Sequence, residues 1–300
     1  MGGISFRNIG SMVLENKNWD MLNCISAYGI IGCNIIKTGC FQIDYEKKTI
    51  TITDNVDNLP EKNRISWLKY KTDGQETPVI TAILDSLKID LFFDTGSSSG
   101  ITLYSPEIYR NVQENSLAEK AVFNMLPSLY IRGEKARPYK AVKYSPSQLE
   151  IFGTGLSKKI PVTVTDTPER KFTGTIGNRY LSDFIITLDY KNKRVGYTLN
   201  EIPEPEYKGS FGFGYFVHNN KVLINSVKDG SEIAEKGIQP GDEIISINGI
   251  EISKLPAEAF CRIFRNEFSF SGDTDSLMDI AVRQGDNVID LSLHKFLLTY

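Results

Sequence analysis

The sequence predicts a mainly β protein: a β-rich lobe, preceded by part of a similar lobe and followed by a small β-rich domain. Three observations predict it. Short apolar runs alternate with period two and end at Gly, Asp or Asn turns. A stretch near the N-terminus recurs 145 residues later without a gap, and residue usage changes character from Gly209 onward.

The repeat orders the first two parts. Gly29-Ile30-Ile31-Gly32, followed by Asp44-Tyr45-Glu46-Lys47-Lys48, returns as Gly174-Thr175-Ile176-Gly177 and Asp189-Tyr190-Lys191-Asn192-Lys193. Gly29, Ile31, Gly32, Asp44, Tyr45, Lys48 and Thr53 each meet the same residue 145 positions on. Each copy reads as a tight buried turn, a short helix near 34–38 and two strands, near 41–45 and 49–52 in the first copy. Residues 184–188 and 194–198 take the same parts in the second. Two polar, proline-bearing stretches, 54–63 and 200–206, read as solvated linkers. They divide the chain into the end of a first lobe at 1–55, a lobe at 64–200 and a C-terminal domain at 207–300.

Upstream of the second copy, residues 78–84 and 87–93 read as a hairpin with Asp85-Ser86 at its turn. Its second strand runs into Asp94-Thr95-Gly96-Ser97, after which the chain returns to apolar residues at Ile101. An apolar strand thus delivers one carboxylate into a Gly/Ser turn, 80 residues before the Gly-x-Ile-Gly element. Ser105-Pro106 then opens a helix with proline at its first position. Residues 132–139 are turn-rich: they suit a plain surface loop, or the covering hairpin that the family resemblance given below implies.

Composition narrows the chemistry. A net charge of -3 offers no basic footprint for nucleic acid. No apolar run approaches the ~20 residues that span a bilayer, so no membrane span is expected in this chain. The start of the chain lacks a basic-then-apolar leader. The two histidines, His218 and His294, both fall in the C-terminal domain, which disfavours His-dependent hydrolase chemistry. The four cysteines, Cys24, Cys33, Cys40 and Cys261, form no Cys-x-x-Cys pair, and no metal site is expected. Buried free thiols are expected, with a disulfide among the first three as the alternative.

The aspartate loop, the hairpin before it and the Gly-x-Ile-Gly element after it resemble the retropepsin and pepsin-like aspartic peptidases. The resemblance implies an acid-protease β-barrel and hydrolysis of peptide or protein substrates by an aspartate dyad, without cofactor or metal. Asp94 would be one carboxylate of that dyad. Thr95 would bond across to the partner loop, Gly96 would admit backbone beside the carboxylate, and Ser97 would bond its outer oxygen. Gly174, Ile176 and Gly177, with Gly29, Ile31 and Gly32, would form the active-site floor. A dyad needs a second loop, which the repeat spacing would put about 80 residues before Gly29, upstream of Met1. Three readings follow: a two-lobed protein of which this is a fragment, a homodimer joining two copies of Asp94, or a non-catalytic scaffold that binds peptides.

The C-terminal run Gly230-Ser231-Glu232-Ile233-Ala234, Gly237-Ile238, Pro240-Gly241-Asp242 and Ile244-Ile245-Ser246-Ile247-Asn248-Gly249 resembles a bacterial, protease-associated PDZ domain. That resemblance implies capture of a peptide C-terminus. Phe211, Gly212, Phe213 and Gly214 would form the carboxylate loop and first groove strand. A helix around 256–265 would form the other wall, with Phe260 and Ile263 or Phe264 facing the groove; the same stripe suits a core-facing helix. A hairpin at 280–293 would close the domain. Family resemblance suggests the bacterial envelope or periplasm.

Overall fold

The computed structural model describes residues 5–13, 24, 29–60, 62–114, 119–124, 138–152, 154–155, 161–167, 172–200, 209–265, 267–268 and 276–297. The candidate covering hairpin at 132–139 and the linker at 200–206 lie largely outside these residues, as does the very start of the chain. The fold is mainly β, as expected. The chain forms two compact units, one of residues 1–13, 30–114 and 143–205, the other of 14–29, 115–142 and 206–300.

In the first unit, one sheet carries the aspartate loop. Its strands run in the order Thr154–Gly155, Leu149–Ile151, Pro78–Leu84, Leu87–Phe93, Gly174–Ile176, Ile101–Tyr104 and Val162–Thr165. Pro78–Leu84 and Leu87–Phe93 form the expected hairpin, with Asp85 and Ser86 at φ 45° and 74°. Both central turn residues are therefore left-handed, as a tight hairpin requires. The Asp85 carboxylate accepts from Ser147 Oγ (2.6 Å) and Gln148 N (3.0 Å), which ties that turn to the next strand. Ile80, Leu91, Ile101, Leu103, Val162, Val164 and Ile176 are all buried from these strands. The helix Pro106–Val112 starts where expected, its Ser105 cap accepting from Ile108 N.

The other sheet of this unit is built from the two repeat copies. Its order is Thr49–Thr53, Cys40–Asp44, Phe184–Asp189, Arg194–Leu199 and Ser66–Lys69. From the short helix onward the copies match element for element. Helix Cys33–Ile36 has its counterpart in Asn178–Leu181, displaced by the repeat length. Both hairpins pair in the same register, Cys40 with Thr53 and Ile185 with Thr198. Their turns share a left-handed lysine, Lys48 (φ 52°) and Lys193 (φ 48°). Each turn also bonds back to the strand-end aspartate, Lys47 N to Asp44 Oδ1 and Asn192 N to Asp189 Oδ1. The copies then pair with each other, antiparallel, with Gln42 opposite Thr187. These two are repeat equivalents, so a pseudo-two-fold axis passes between them. Gln42 Nε2 donates to Thr187 Oγ1 there (2.9 Å), satisfying two buried polar groups.

Two expectations change in this unit. Residues 54–60 and 62–64 are mostly exposed, as a linker would be, but not irregular: they form 3₁₀ turns, Val56–Asn58 and Lys62–Arg64, and bury Leu59. Local hydrogen bonds hold these turns, Asp57 N donating to Asn55 Oδ1 (3.0 Å) and Lys62 Nζ to the Asp57 carbonyl (3.0 Å). The Gly174-Thr175-Ile176 element is a strand rather than a turn. Its glycine serves close approach, since a Cβ on Gly174 would stand 2.4 Å from Thr102 O.

The second unit has a core of its own, drawn from Val222, Ile224, Ile233, Ile244, Phe260, Ile280, Val282 and Leu293 among others. Strand Phe213–His218 turns through Asn219 and Asn220, both left-handed, into Lys221–Lys228. Glu243–Ile247 pairs with Lys221–Lys228 and with Leu277–Gln284, which forms the closing hairpin with Asn287–His294. Strand Glu119–Asn124 also adds to Lys221–Lys228, at Ser226, Val227 and Lys228. The expected pattern of thiols is overturned here: Cys24 and Cys261 form a disulfide across a sequence separation of 237, leaving Cys33 and Cys40 free. Folding, not spacing, brings the two sulfurs together.

Candidate functional site

The aspartate loop is held from both sides by a third strand. Leu87–Phe93 enters the loop and Ile101–Tyr104 leaves it, and Gly174–Ile176 lies between them. It runs parallel to the first, with Gly174 beside Leu91, and antiparallel to the second, with Gly174 beside Leu103. Asp94 N donates to Ile176 O (3.0 Å), Gly177 N to Gly100 O (2.8 Å), Asn178 N to Ser97 O (2.8 Å) and Arg179 N to Ser99 O (3.0 Å). Four backbone bonds thus clamp the two ends of the loop onto one short segment. Gly177 is obligatory for this closeness, because its Cβ would stand 2.5 Å from Ser99 O and 2.9 Å from Ser97 O.

Within the loop, Gly96 N donates to Asp94 Oδ1 (2.9 Å) and Ser97 N to Asp94 O (3.2 Å). The carboxylate is partly exposed and aimed by the backbone. Gly96 N–H is thus the backbone group beside the carboxylate. Ser97 differs from expectation: its hydroxyl pairs with Ser99 Oγ (2.7 Å) and accepts from Ser99 N (3.2 Å). It stiffens the loop instead of meeting Asp94. The Thr95 carbonyl accepts from Asn178 Nδ2 (2.6 Å), and Asn178 Oδ1 accepts from Tyr45 OH (2.6 Å). Sequence reasoning passed over Asn178. The available signal was a mismatch, since the repeat puts Cys33 at the equivalent position while Tyr45 and Tyr190 are kept.

The floor residues divide. Gly174, Ile176 and Gly177 surround the aspartate loop, with Ile176 fully buried. Their counterparts Gly29, Ile31 and Gly32 are open: Ile30 is 70% exposed and Ile31 39%.

In the second unit, Phe211, Gly212, Phe213 and Gly214 lead into the edge of strand Phe213–His218. Gly212 is left-handed (φ 85°); its N–H donates to Ser210 Oγ (3.1 Å) and its carbonyl accepts from Lys228 N (2.8 Å). A Cβ on Gly212 would meet Ser231 at 2.5 Å, so the glycine seats this stretch against the helix Glu232–Glu235 cap. Phe260 and Ile263 depart from the expected groove wall. On helix Ala257–Phe264 both are buried in the core, and Phe264 is the partly exposed apolar residue. The apolar stripe of this helix serves the core of its own unit first.

Among known proteins, residues 185–266 match the family model for the PDZ domain. No curated protein sequence matches the chain. Solved structures similar to it include the following three. A retropepsin-like aspartic protease from Rickettsia conorii has 18% identity and a TM-score of 0.32, over 43% of this chain and 97% of that one. Basic 7S globulin from soybean has 13% identity and a TM-score of 0.31, over 53% of this chain and 50% of that one. The HtrA-type protease AlgW with decapeptide has 12% identity and a TM-score of 0.23, over 87% and 80%. The family match begins within strand Phe184–Asp189 and ends before the closing hairpin, whereas the core of the second unit extends to Leu293. The chain carries a PDZ domain in its C-terminal part.

Proposed function

We propose that this chain supplies one half of an aspartic-peptidase active site, with Asp94 as its carboxylate and the PDZ domain as a dock for peptide tails. The observation that carries this reading is the clamped loop: a partly exposed carboxylate, oriented by Gly96 N, in a loop fixed by four backbone bonds to residues 176–179. Preorganisation of this kind is what general acid–base chemistry needs. With a second carboxylate close by, the pair shares one proton. The ionised member takes a proton from water as the water oxygen attacks the scissile carbonyl carbon. The other gives its proton to the carbonyl oxygen, forming a diol; the first carboxyl then passes the proton it took from water to the amide nitrogen while the second takes one back from a diol hydroxyl, and the C–N bond breaks to leave a free amine and a carboxylic acid.

The pseudo-two-fold axis favours one source for that second carboxylate. It relates Gly174–Gly177, which clamps the Asp94 loop, to Gly29–Gly32, whose Ile30 and Ile31 are exposed. On this reading a second aspartate loop would pack against Gly29–Gly32. A homodimer through strand Phe184–Asp189 is disfavoured, because Cys40–Asp44 and Arg194–Leu199 already occupy its two edges. In the PDZ domain, the edge of Phe213–His218 would receive a peptide as an added strand.

A peptide carrying a hydroxyl in place of the scissile amide tests the reading. It should block hydrolysis by the protein as the cell makes it, and bind ~100-fold or more tighter than the matching substrate. Hydrolysis that such a mimic leaves untouched, at concentrations far above those of substrate, overturns it.

A further inference from the structure

We propose that Tyr45 and Asn178 are positioning residues for the Asp94 loop, acting as a relay from one repeat copy to the active-site loop held by the other. The inference rests on the reading of Asp94 as a catalytic carboxylate. Tyr45 OH donates to Asn178 Oδ1 (2.6 Å), and Asn178 Nδ2 donates to the Thr95 carbonyl (2.6 Å). Thr95 sits between Asp94 and Gly96, whose N–H holds Asp94 Oδ1. An asparagine amide can face either way, and a flipped one would turn its oxygen onto the Thr95 carbonyl. The Thr95 carbonyl, which can only accept, selects the orientation that sends the NH₂ group to it, and the Tyr45 hydroxyl donates to the oxygen on the other side, so that both ends of the amide are held. Burial pushes the Tyr45 phenol up to about 12, so it remains a donor at any pH at which a peptidase works.

The repeat shows that this is not merely how such a helix begins. By the pseudo-two-fold, Tyr190 OH points to the equivalent first helical residue of the other copy, Cys33 (3.6 Å to Sγ). Cys33 meets Thr77 Oγ1 (3.8 Å) where Asn178 meets Thr95. The tyrosine is kept in both copies, while the amide stands only in the copy that clamps the Asp94 loop. The helix tolerates Cys or Asn at this position; the carbonyl of the aspartate loop requires the donor.

The test compares Tyr45→Phe, Asn178→Asp and Tyr190→Phe in the full chain, with two readouts. The first is amide hydrogen exchange at Gly96 and Ser97, the two N–H groups bonded to Asp94. Tyr45→Phe and Asn178→Asp should each speed it about 10-fold, the effect of one lost hydrogen bond. Exchange at Ile186 and Leu188 in the repeat hairpin should stay unchanged, and Tyr190→Phe should leave Gly96 and Ser97 as in the wild type. The second is peptide hydrolysis: kcat should fall about 10-fold at nearly constant KM, the signature of lost transition-state alignment. Unchanged exchange at Gly96 and Ser97 in both Tyr45→Phe and Asn178→Asp overturns the relay, whether or not hydrolysis is detected. Hydrolysis that survives Asp94→Asn overturns the peptidase reading instead, and the exchange data still judge the relay.

Discussion

Gly177 and Gly32 occupy the same repeat position, yet replacing each with alanine should have opposite consequences. Both have backbone angles open to any residue, φ −119° and −90°. Both therefore gain the same ~0.4–1 kcal/mol from a less flexible unfolded chain. They differ in what the added methyl meets. At Gly177 it meets two backbone carbonyls, Ser99 O at 2.5 Å and Ser97 O at 2.9 Å; at Gly32 only the tip of the Asn34 side chain, at 3.2 Å. Backbone must move nearly an ångström to admit the first methyl, an overpacking cost of about 1–3 kcal/mol. The same movement stretches the Gly177, Asn178 and Arg179 bonds to the loop, at about 1 kcal/mol more. Gly177→Ala should thus destabilise its unit by about 2–3 kcal/mol net, and Gly32→Ala should be neutral or slightly stabilising. At ~2–4 °C per kcal/mol for a unit of this size, the two melting temperatures should differ by roughly 6–12 °C in calorimetry. Equal melting temperatures for the two variants would refute the claim that the clamp depends on contact between Gly177 and the aspartate loop.

Two further outcomes follow from the thiols and the strand-end aspartates. Denatured without reductant, the chain should titrate only Cys33 and Cys40, and mass spectrometry should recover a Cys24–Cys261 peptide pair. In the native state Cys33 should alkylate well before Cys40, whose thiol burial, with nearby Asp189, pushes up to about 11. Burial alone would raise the Asp44 carboxyl, but hydrogen bonds from the Lys47 backbone and ammonium hold it below the ordinary carboxylate range. A group depressed in the folded state stabilises above its unfolded pKa, and that contribution fades as pH falls through the folded value. Asp44→Asn should therefore cost about 1 kcal/mol at neutral pH and nearly nothing in strong acid, as read from melting temperature against pH.

Much of this architecture is legible in the sequence because the repeat is gapless. The strands near 184–188 and 194–198 could be placed from their first copy; the left-handed lysine that the two turns share, Lys48 and Lys193, shows only in the structure. The aspartate loop was legible because an apolar hairpin must end somewhere, and Asp94-Thr95-Gly96 is where this one does. Three-dimensional proximity was not legible. The partnership of Cys24 with Cys261 spans nearly the whole chain, and no spacing rule reaches that far. Leu59 made a core contact out of a stretch whose average composition is polar. The helix Ala257–Phe264 carries one apolar stripe that both a groove and a core could use, and the core takes Phe260 and Ile263. Asn178 went unnoticed because an asparagine in the first turn of a short helix is common; only the bond from Tyr45 shows what its amide holds.

The most direct test of the account is the initial rate at which the protein, as the cell makes it, hydrolyses an unstructured polypeptide, compared with its Asp94→Asn variant. The substitution keeps the size of the side chain and the Gly96 N–H bond while removing the charge that takes a proton from water. A fall of about 10³-fold or more, with the folded state intact, is the predicted result. An Asp94→Asn protein that cleaves at the wild-type rate would contradict the assignment of Asp94.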